Sequence, residues 1–91
     1  MPTNALIRDL QSALGSSNVI HEPEDLSVYE YDATIERAMP DVVVFPTTSE
    51  DVAAAVRIAI KHDVPVVPRG FGTGLSGGAV PIRGGVLIVL T

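Results

Sequence analysis

The most constraining feature of this sequence is a glycine-rich stretch enclosed by two apolar runs. Seven of the eight glycines lie between Gly70 and Gly85, and the apolar residues 64–67 and 86–90 flank them. Continuous apolar runs of this length predict buried strands. Glycine lacks a Cβ, so the backbone between them can adopt positive φ and approach a ligand closely. Several N–H groups can then point at one anion. The sequence therefore predicts a main-chain cradle for cofactor phosphates.

The rest of the chain predicts an α/β fold with a small, mainly parallel sheet. Apolar residues recur at helical spacing in two segments, and β-branched residues form continuous runs elsewhere. A strand, a helix and a strand joined by short connections form a βαβ unit, whose two strands are parallel. The predicted helices cover residues 4–14 and 50–62, and the predicted strands cover 42–45, 64–67 and 86–90, with a shorter extended piece at 19–21 and a loop with one helical turn over 22–40.

Composition favours a globular chain forming one domain or part of one, residues 1–91, with 46% hydrophobic residues and a net charge of −5. The chain has no cysteine, which suits a reducing compartment, and we expect a cytoplasmic protein. No apolar stretch is long enough for a transmembrane helix, and the start of the chain lacks the features of a signal peptide. The basic residues form no broad face of the kind that binds nucleic acid. Neither histidine has metal-ligand spacing.

Three phosphate-binding designs are known for glycine-rich stretches of this kind. A P-loop needs Lys followed by Ser or Thr, and the only lysine is Lys61. Residues 72–77 match the dinucleotide fingerprint G-x-G-x-x-G, but the glycines and proline that follow leave no room for the helix that this motif requires. A nicotinamide-binding fragment is thus a minor alternative. A long loop that binds a diphosphate through its own amides agrees best with the sequence, and a glycine-rich surface hairpin stays open as a structural alternative.

Two segments resemble a known family. Residues 68–81, PRGFGTGLSGGAVP, and residues 40–52, PDVVVFPTTSEDV, together resemble the FAD-binding domain of the vanillyl-alcohol oxidase and p-cresol methylhydroxylase (PCMH-type) family. Within it, the likeness is to FAD-linked glycolate oxidase subunits and D-lactate dehydrogenases. The segment YEYDA at residues 29–33 also resembles the sequence that these proteins carry before the first buried strand.

The resemblance implies that the glycine-rich loop wraps the FAD diphosphate, chiefly through backbone N–H groups. It also implies non-covalent FAD, because covalent relatives carry histidine near the position of Thr73. A structural role for Arg69 stays open beside the cofactor-binding role. In that alternative, its guanidinium pairs with a carboxylate from the acidic half of the chain. The implied cofactor-binding residues are Arg69, Gly70, Phe71, Gly72, Thr73, Gly74, Ser76 and Gly77.

The resemblance further implies an oxidoreductase that passes hydride from a 2-hydroxy acid, such as glycolate or D-lactate, to FAD. Family members are several times longer, and their catalytic and substrate-binding residues lie beyond the matching segment. We therefore expect the 91 residues to form the amino-terminal portion of an FAD-binding domain and to be inactive alone. Other oxidase subunits are possible partners. The alternative from a different class is a non-enzymatic fragment without cofactor that self-associates through unpaired sheet edges.

Overall fold

The computed structural model describes residues 3–29, 31–32, 37–70 and 84–90. Helix α1 spans Thr3–Leu14, α2 spans Pro23–Leu26 and α3 spans Ser49–Lys61, with short 3-10 helices at Ser16–Asn18 and Ser27–Tyr29. The strands are β1 (Val19–Ile20), β2 (Tyr31–Asp32), β3 (Arg37–Ala38), β4 (Val42–Val44), β5 (Val66–Gly70) and β6 (Val86–Leu90). The predicted α/β class and both long helices are confirmed.

Four strands form the main sheet in the order β1-β4-β6-β5. Strands β4 and β5 each pair with β6 in parallel, and β1 pairs with β4 antiparallel. The mainly parallel sheet and the parallel orientation of β4 and β5 are therefore confirmed. The two strands are not neighbours, however, because β6 lies between them. Strands β2 and β3 form a separate antiparallel pair.

The sheet is covered on both faces. Because side chains alternate along a strand, Val42 and Val44 contact one hydrophobic cluster while Val43 contacts the other. The first cluster includes Leu6 and Leu10 of α1, and it also contains Ala55 and Ala59 of α3. All three valines of β4 are fully buried, as expected for a continuous β-branched strand with both faces covered.

The second cluster lies on the opposite face of the sheet. Its buried members are Leu26, Val43, Val67 and Leu87, and Ile20, Tyr29, Phe45 and Val89 pack against them. Residues 20–29 thus cover the face that α1 and α3 leave open. Residues 22–29 fall in the region predicted as a loop with one helical turn, and α2 supplies that turn.

Strand β5 begins two residues later and ends three residues later than predicted. The sequence predicted residues 64–67, whereas the strand is Val66–Gly70. The N–H of Val64 donates to Ala59 O at 2.9 Å, so this residue closes the carboxyl-terminal cap of α3 and precedes the strand. Asp63 takes a positive φ of 57° at the turn. Arg69 and Gly70, predicted as the start of the loop, are consequently the last two residues of β5.

Candidate functional site

The carboxyl ends of three parallel strands meet at one edge of the sheet, which we call the carboxyl edge. Gly70 at the end of β5 pairs in register with Leu90 at the end of β6, and Val44 at the end of β4 pairs with Ile88. In open α/β sheets, ligands bind outside the carboxyl ends of the strands. The structure therefore places Gly70 and its neighbour Arg69 at the edge where a ligand site is expected.

The other six predicted site residues follow Gly70 in the chain. Phe71, Gly72, Thr73, Gly74, Ser76 and Gly77 lie outside the described residues. Their assignment to a cofactor remains a prediction from the sequence.

The parallel pairing of β5 with β6 decides what kind of connection the glycine-rich stretch makes. A two-stranded hairpin joins antiparallel strands, whereas parallel neighbours need a crossover of a dozen or more residues. Residues 71–85 have this length, and they run from the carboxyl edge to the start of β6 at the opposite edge. The alternative of a glycine-rich surface hairpin is therefore wrong.

Arg69 lies on the face of β5 that contacts the second cluster. Val67 of that cluster is only 2% exposed, and a residue two positions later faces the same side of the strand. The guanidinium Cζ of Arg69 lies 5.8 Å from the centroid of the Tyr29 ring. This distance is within the range of a cation–π interaction.

Tyr29 is itself held by a second aromatic ring. The Tyr29 and Phe45 rings meet edge to face, with centroids 5.7 Å apart and planes inclined by 70°. This geometry is a preferred one for aromatic pairs. Sequence reasoning did not find Tyr29 as a partner of Arg69, because the two residues are far apart in the chain. The signal for this contact in the sequence was the alternation of side chains along β5, which puts Arg69 on the same face as Val67.

The last two glycines of the stretch have a packing role, and neither is among the predicted cofactor-binding residues. The N–H of Gly85 donates to Asp41 Oδ2 at 2.8 Å, and the N–H of Asp41 donates to Gly85 O at 2.9 Å. Gly84 and Gly85 have φ values of 74° and 85°, which favour glycine. A Cβ on Gly85 would lie 2.5 Å from Pro65 O. Because neither residue has a Cβ, the backbone can pass close to Asp41 and Pro65 and lead into β6, which lies between β4 and β5.

The start of α3 lies near the carboxyl edge, because α3 follows β4 after a short connection. Its first turn is capped from within: the N–H of Asp51 donates to Thr48 Oγ1 at 3.0 Å. The Asp51 carboxylate accepts bonds from the Thr47 N–H and hydroxyl at 3.0 and 2.9 Å. These bonds hold the pKa of Asp51 below its ordinary value. A carboxylate at this position disfavours a phosphate at the helix end, which leaves the glycine-rich crossover as the phosphate candidate.

The histidine with a defined structural role lies away from this edge. His62 follows the last residue of α3, and its Nε2 lies 2.7 Å from Asp9 Oδ2, while Lys61 Nζ lies 3.3 Å from the same oxygen. The bond from His62, followed by that from Lys61, lowers the pKa of Asp9. The contact joins α1 to the end of α3.

Within the described ranges, no group of three or more histidine and acidic side chains could hold a metal ion. None of the helices that the structure describes is long and apolar enough to cross a membrane.

Comparison with known sequences gives a family. A family described as FAD binding domain matches residues 40–91, which is more than half of the chain. The glycolate oxidase subunit GlcD of Escherichia coli (strain K12) is 38% identical over 87 residues, which cover 94% of this chain and 17% of that protein. A D-lactate dehydrogenase of Anaerostipes hadrus is 51% identical over 55 residues, covering 60% of this chain and 12% of the relative. The chain thus spans less than a fifth of either relative.

Comparison with solved structures gives the same fold. A p-cresol methylhydroxylase with bound substrate superposes with a TM-score of 0.75 and 29% sequence identity, over 96% of this chain and 18% of the other. An alkyldihydroxyacetonephosphate synthase, at 20% identity and a TM-score of 0.72, shares the fold. Membership in an FAD family also decides against the nicotinamide alternative. Together these matches confirm the resemblance and its cofactor: the chain belongs to the FAD binding domain family, in the PCMH-type fold of flavoprotein oxidoreductases.

Proposed function

We propose that this chain is the amino-terminal part of the FAD domain of an enzyme that oxidises a 2-hydroxy acid of the glycolate or D-lactate type. The names of the relatives, a glycolate oxidase subunit and a D-lactate dehydrogenase, support this substrate class. Bound FAD would accept hydride from the substrate, and the protein would supply binding and orientation. The groups that hold the substrate and remove its proton are expected in other parts of the polypeptide.

One observation carries the proposal most directly. Strand β5 delivers Gly70 to the carboxyl edge of a parallel sheet, and the glycine-rich crossover begins there. Four more glycines occur between residues 71 and 78, where N–H groups can point at one anion. We assign the FAD diphosphate to this segment, with backbone amides as donors and the hydroxyls of Thr73 and Ser76 as additional donors.

The remaining residues of the proposed site have simpler roles. Arg69 supplies positive charge beside Gly70, and Phe71 continues the wall of the loop. Histidine and cysteine are both absent from residues 69–78, so we propose that FAD is bound non-covalently. Denaturing the loaded protein should release the flavin into solution, and flavin that stays on the chain would contradict this part of the proposal. The proposed residues are Arg69, Gly70, Phe71, Gly72, Thr73, Gly74, Ser76 and Gly77.

The diphosphate assignment is tested by the choice of ligand. Binding of FAD, ADP and riboflavin to the 91-residue chain is measured by titration calorimetry. FAD and ADP share a diphosphate that riboflavin lacks, so both should bind and riboflavin should not compete. Riboflavin that binds as tightly as FAD would contradict the assignment. A folded chain that binds neither FAD nor ADP would contradict the proposed site itself.

A double variant tests the glycines. Gly72→Val with Gly74→Val places side chains where the diphosphate would approach the backbone, and ADP affinity should fall at least about tenfold. Ala13→Val with Ala53→Val is the matched control, because both alanines are exposed on helices. The control should keep its ADP affinity. Unchanged ADP affinity in the glycine variant would overturn the assignment.

Substrate class is tested in the polypeptide that carries this segment together with its catalytic parts. Anaerobic addition of glycolate or D-lactate should bleach the flavin absorbance, whereas a primary alcohol without a carboxylate should not. Bleaching by the alcohol alone would contradict the 2-hydroxy acid proposal. The 91-residue chain alone should reduce no flavin with any of these compounds.

Partners and location follow from the same proposal. The Escherichia coli relative is named as a subunit, so we propose other oxidase subunits as partners, and the absence of cysteine supports a cytoplasmic location. Self-association without cofactor is the competing function. Size-exclusion chromatography with and without FAD distinguishes the proposed function from self-association. A dimer that stays colourless and unchanged in size when FAD is added would favour the competing function.

A further inference from the structure

We infer that Tyr29 is a positioning residue for the cofactor, acting through Arg69. This inference rests on the proposed diphosphate site and adds a residue that lies outside the glycine-rich segment. The Tyr29 ring fixes the Arg69 guanidinium beside Gly70, so that its charge faces the diphosphate before the ligand arrives.

The geometry provides a defined stack of three side chains. Phe45 follows β4, Tyr29 ends the 3-10 helix Ser27–Tyr29, and Arg69 is the penultimate residue of β5. Phe45 contacts Tyr29 edge to face, and the guanidinium lies 5.8 Å from the Tyr29 ring centroid. Each member comes from a different element, and all three meet near the carboxyl edge of the sheet.

Burial distinguishes the two ends of this stack. Tyr29 and Phe45 are partly buried against the second cluster, whereas Arg69 is exposed. An exposed arginine has many rotamers, and a ligand that needs one of them must restrict the rest at a cost in affinity. A ring that already holds the guanidinium removes part of that cost. The aromatic ring provides the attraction, so the tyrosine hydroxyl is not required.

The charge of Arg69 suits the ligand. It is the residue immediately before Gly70, and residues 70–83 contain no acidic residue. Arginine presents several N–H donors in a planar fork that matches phosphate oxygens, and its flat face can stack on a ring at the same time. A lysine would keep the charge but lose both the fork and the stacking face.

The test is a double-mutant cycle on ADP affinity, measured by calorimetry on the 91-residue chain, with unfolding by urea measured in parallel. Tyr29→Leu should weaken ADP binding about two- to fivefold, which is the range for an exposed cation–π contact. Tyr29→Phe should restore wild-type affinity. In the Arg69→Gln background, Tyr29→Leu should cause no further loss of ADP affinity.

A control and a second variant keep the inference falsifiable. Ile20→Ala removes apolar contacts from the same cluster, so it should lower stability and leave ADP affinity unchanged. Should Tyr29→Leu fail to fold, Arg69→Lys should still lose about two- to fivefold in ADP affinity. The inference is overturned if Arg69→Lys binds ADP as wild type does, or if Tyr29→Leu weakens ADP equally in the Arg69→Gln background. A wild-type chain that binds neither ADP nor FAD would instead refute the proposed function.

Discussion

The Asp41 carboxylate accepts a hydrogen bond from the backbone N–H of Gly85, with Oδ2 and N 2.8 Å apart. The N–H of Asp41 in turn donates to Gly85 O at 2.9 Å. This reciprocal pair fastens the start of β6 to the residue that precedes β4. Gly85 is buried although Asp41 is exposed, so the side chain of a surface residue satisfies a main-chain donor in the interior. The end of the glycine-rich crossover is thereby fixed.

Removing this acceptor should destabilise the chain. Asp41→Ala leaves the buried Gly85 N–H without its partner, and the free energy of unfolding should fall by about 1–3 kcal/mol. Asp41→Asn keeps a side-chain oxygen, so its loss should be smaller. Urea unfolding followed by circular dichroism measures both. Glu24→Ala, at an exposed acidic residue of α2, is the control and should change stability little. Equal stability of Asp41→Ala and wild type would show that the bond contributes nothing.

Two glycines with positive φ should respond differently to the same substitution. In Gly85→Ala the new methyl would meet Pro65 O at 2.5 Å, a backbone atom that cannot move aside. In Gly15→Ala the nearest atom is Asn18 Nδ2 at 3.7 Å, so only the backbone strain remains. We expect a loss of about 1–2 kcal/mol for Gly15→Ala and a larger one, about 3 kcal/mol or more, for Gly85→Ala. Equal losses in urea unfolding would contradict the packing role of Gly85.

Local patterns in the sequence were sufficient for most of the secondary structure. The apolar stripes of α1 and α3 and the valine run of β4 each carry their own local pattern. The order of the strands was not predictable in the same way. Placing β6 between β4 and β5 depends on long-range pairing, which no local pattern encodes.

The candidate site, too, was predictable only where local patterns in the sequence indicate it. The glycine-rich stretch indicated a phosphate-binding segment, and the structure puts its first residue, Gly70, at the carboxyl edge. The contact between Tyr29 and Arg69 and the bond between Asp41 and Gly85 each join residues about 40 positions apart. Such contacts appear only once the sheet is assembled. The resemblance left Gly84 and Gly85 out of the cofactor-binding residues, but the sequence did not indicate what these two glycines contact.

The cap of α3 should contribute measurably to stability. Thr48 Oγ1 accepts from the Asp51 N–H at 3.0 Å, which satisfies one of the free donors of the first turn. Thr48→Ala should lower the free energy of unfolding by about 1 kcal/mol, whereas Thr48→Ser should keep most of it. Thermal or urea unfolding measures the difference. Ser49→Ala, at the exposed first residue of the helix, is the matched control. A Thr48→Ala variant as stable as Ser49→Ala would exclude a capping role.

Stability should depend on pH in the acid range through two carboxylates. The hydrogen bond from His62, followed by that from Lys61, lowers the pKa of Asp9 from 3.8, and bonds from Thr47 lower the pKa of Asp51 from the same value. A carboxyl whose pKa is lower in the folded state binds fewer protons there than in the unfolded chain. Its contribution is complete above the unfolded value and is lost as the pH falls through the folded value. The urea midpoint should therefore decrease as the pH falls below about 4.

Single variants can apportion this acid sensitivity between the two carboxylates. Asp9→Asn removes the ionisable group that bonds His62, so the midpoint should change less below about pH 4 than in wild type. Asp51→Asn should likewise reduce the slope of the urea midpoint against pH, through the other carboxyl. The double variant should reduce this slope further, because the two groups share no partner and their effects should add. Asp25→Asn, at an exposed acidic residue of α2, is the control and should keep the wild-type slope. A wild-type slope in Asp9→Asn would show that the contact between α1 and the end of α3 does not depend on the charge of Asp9.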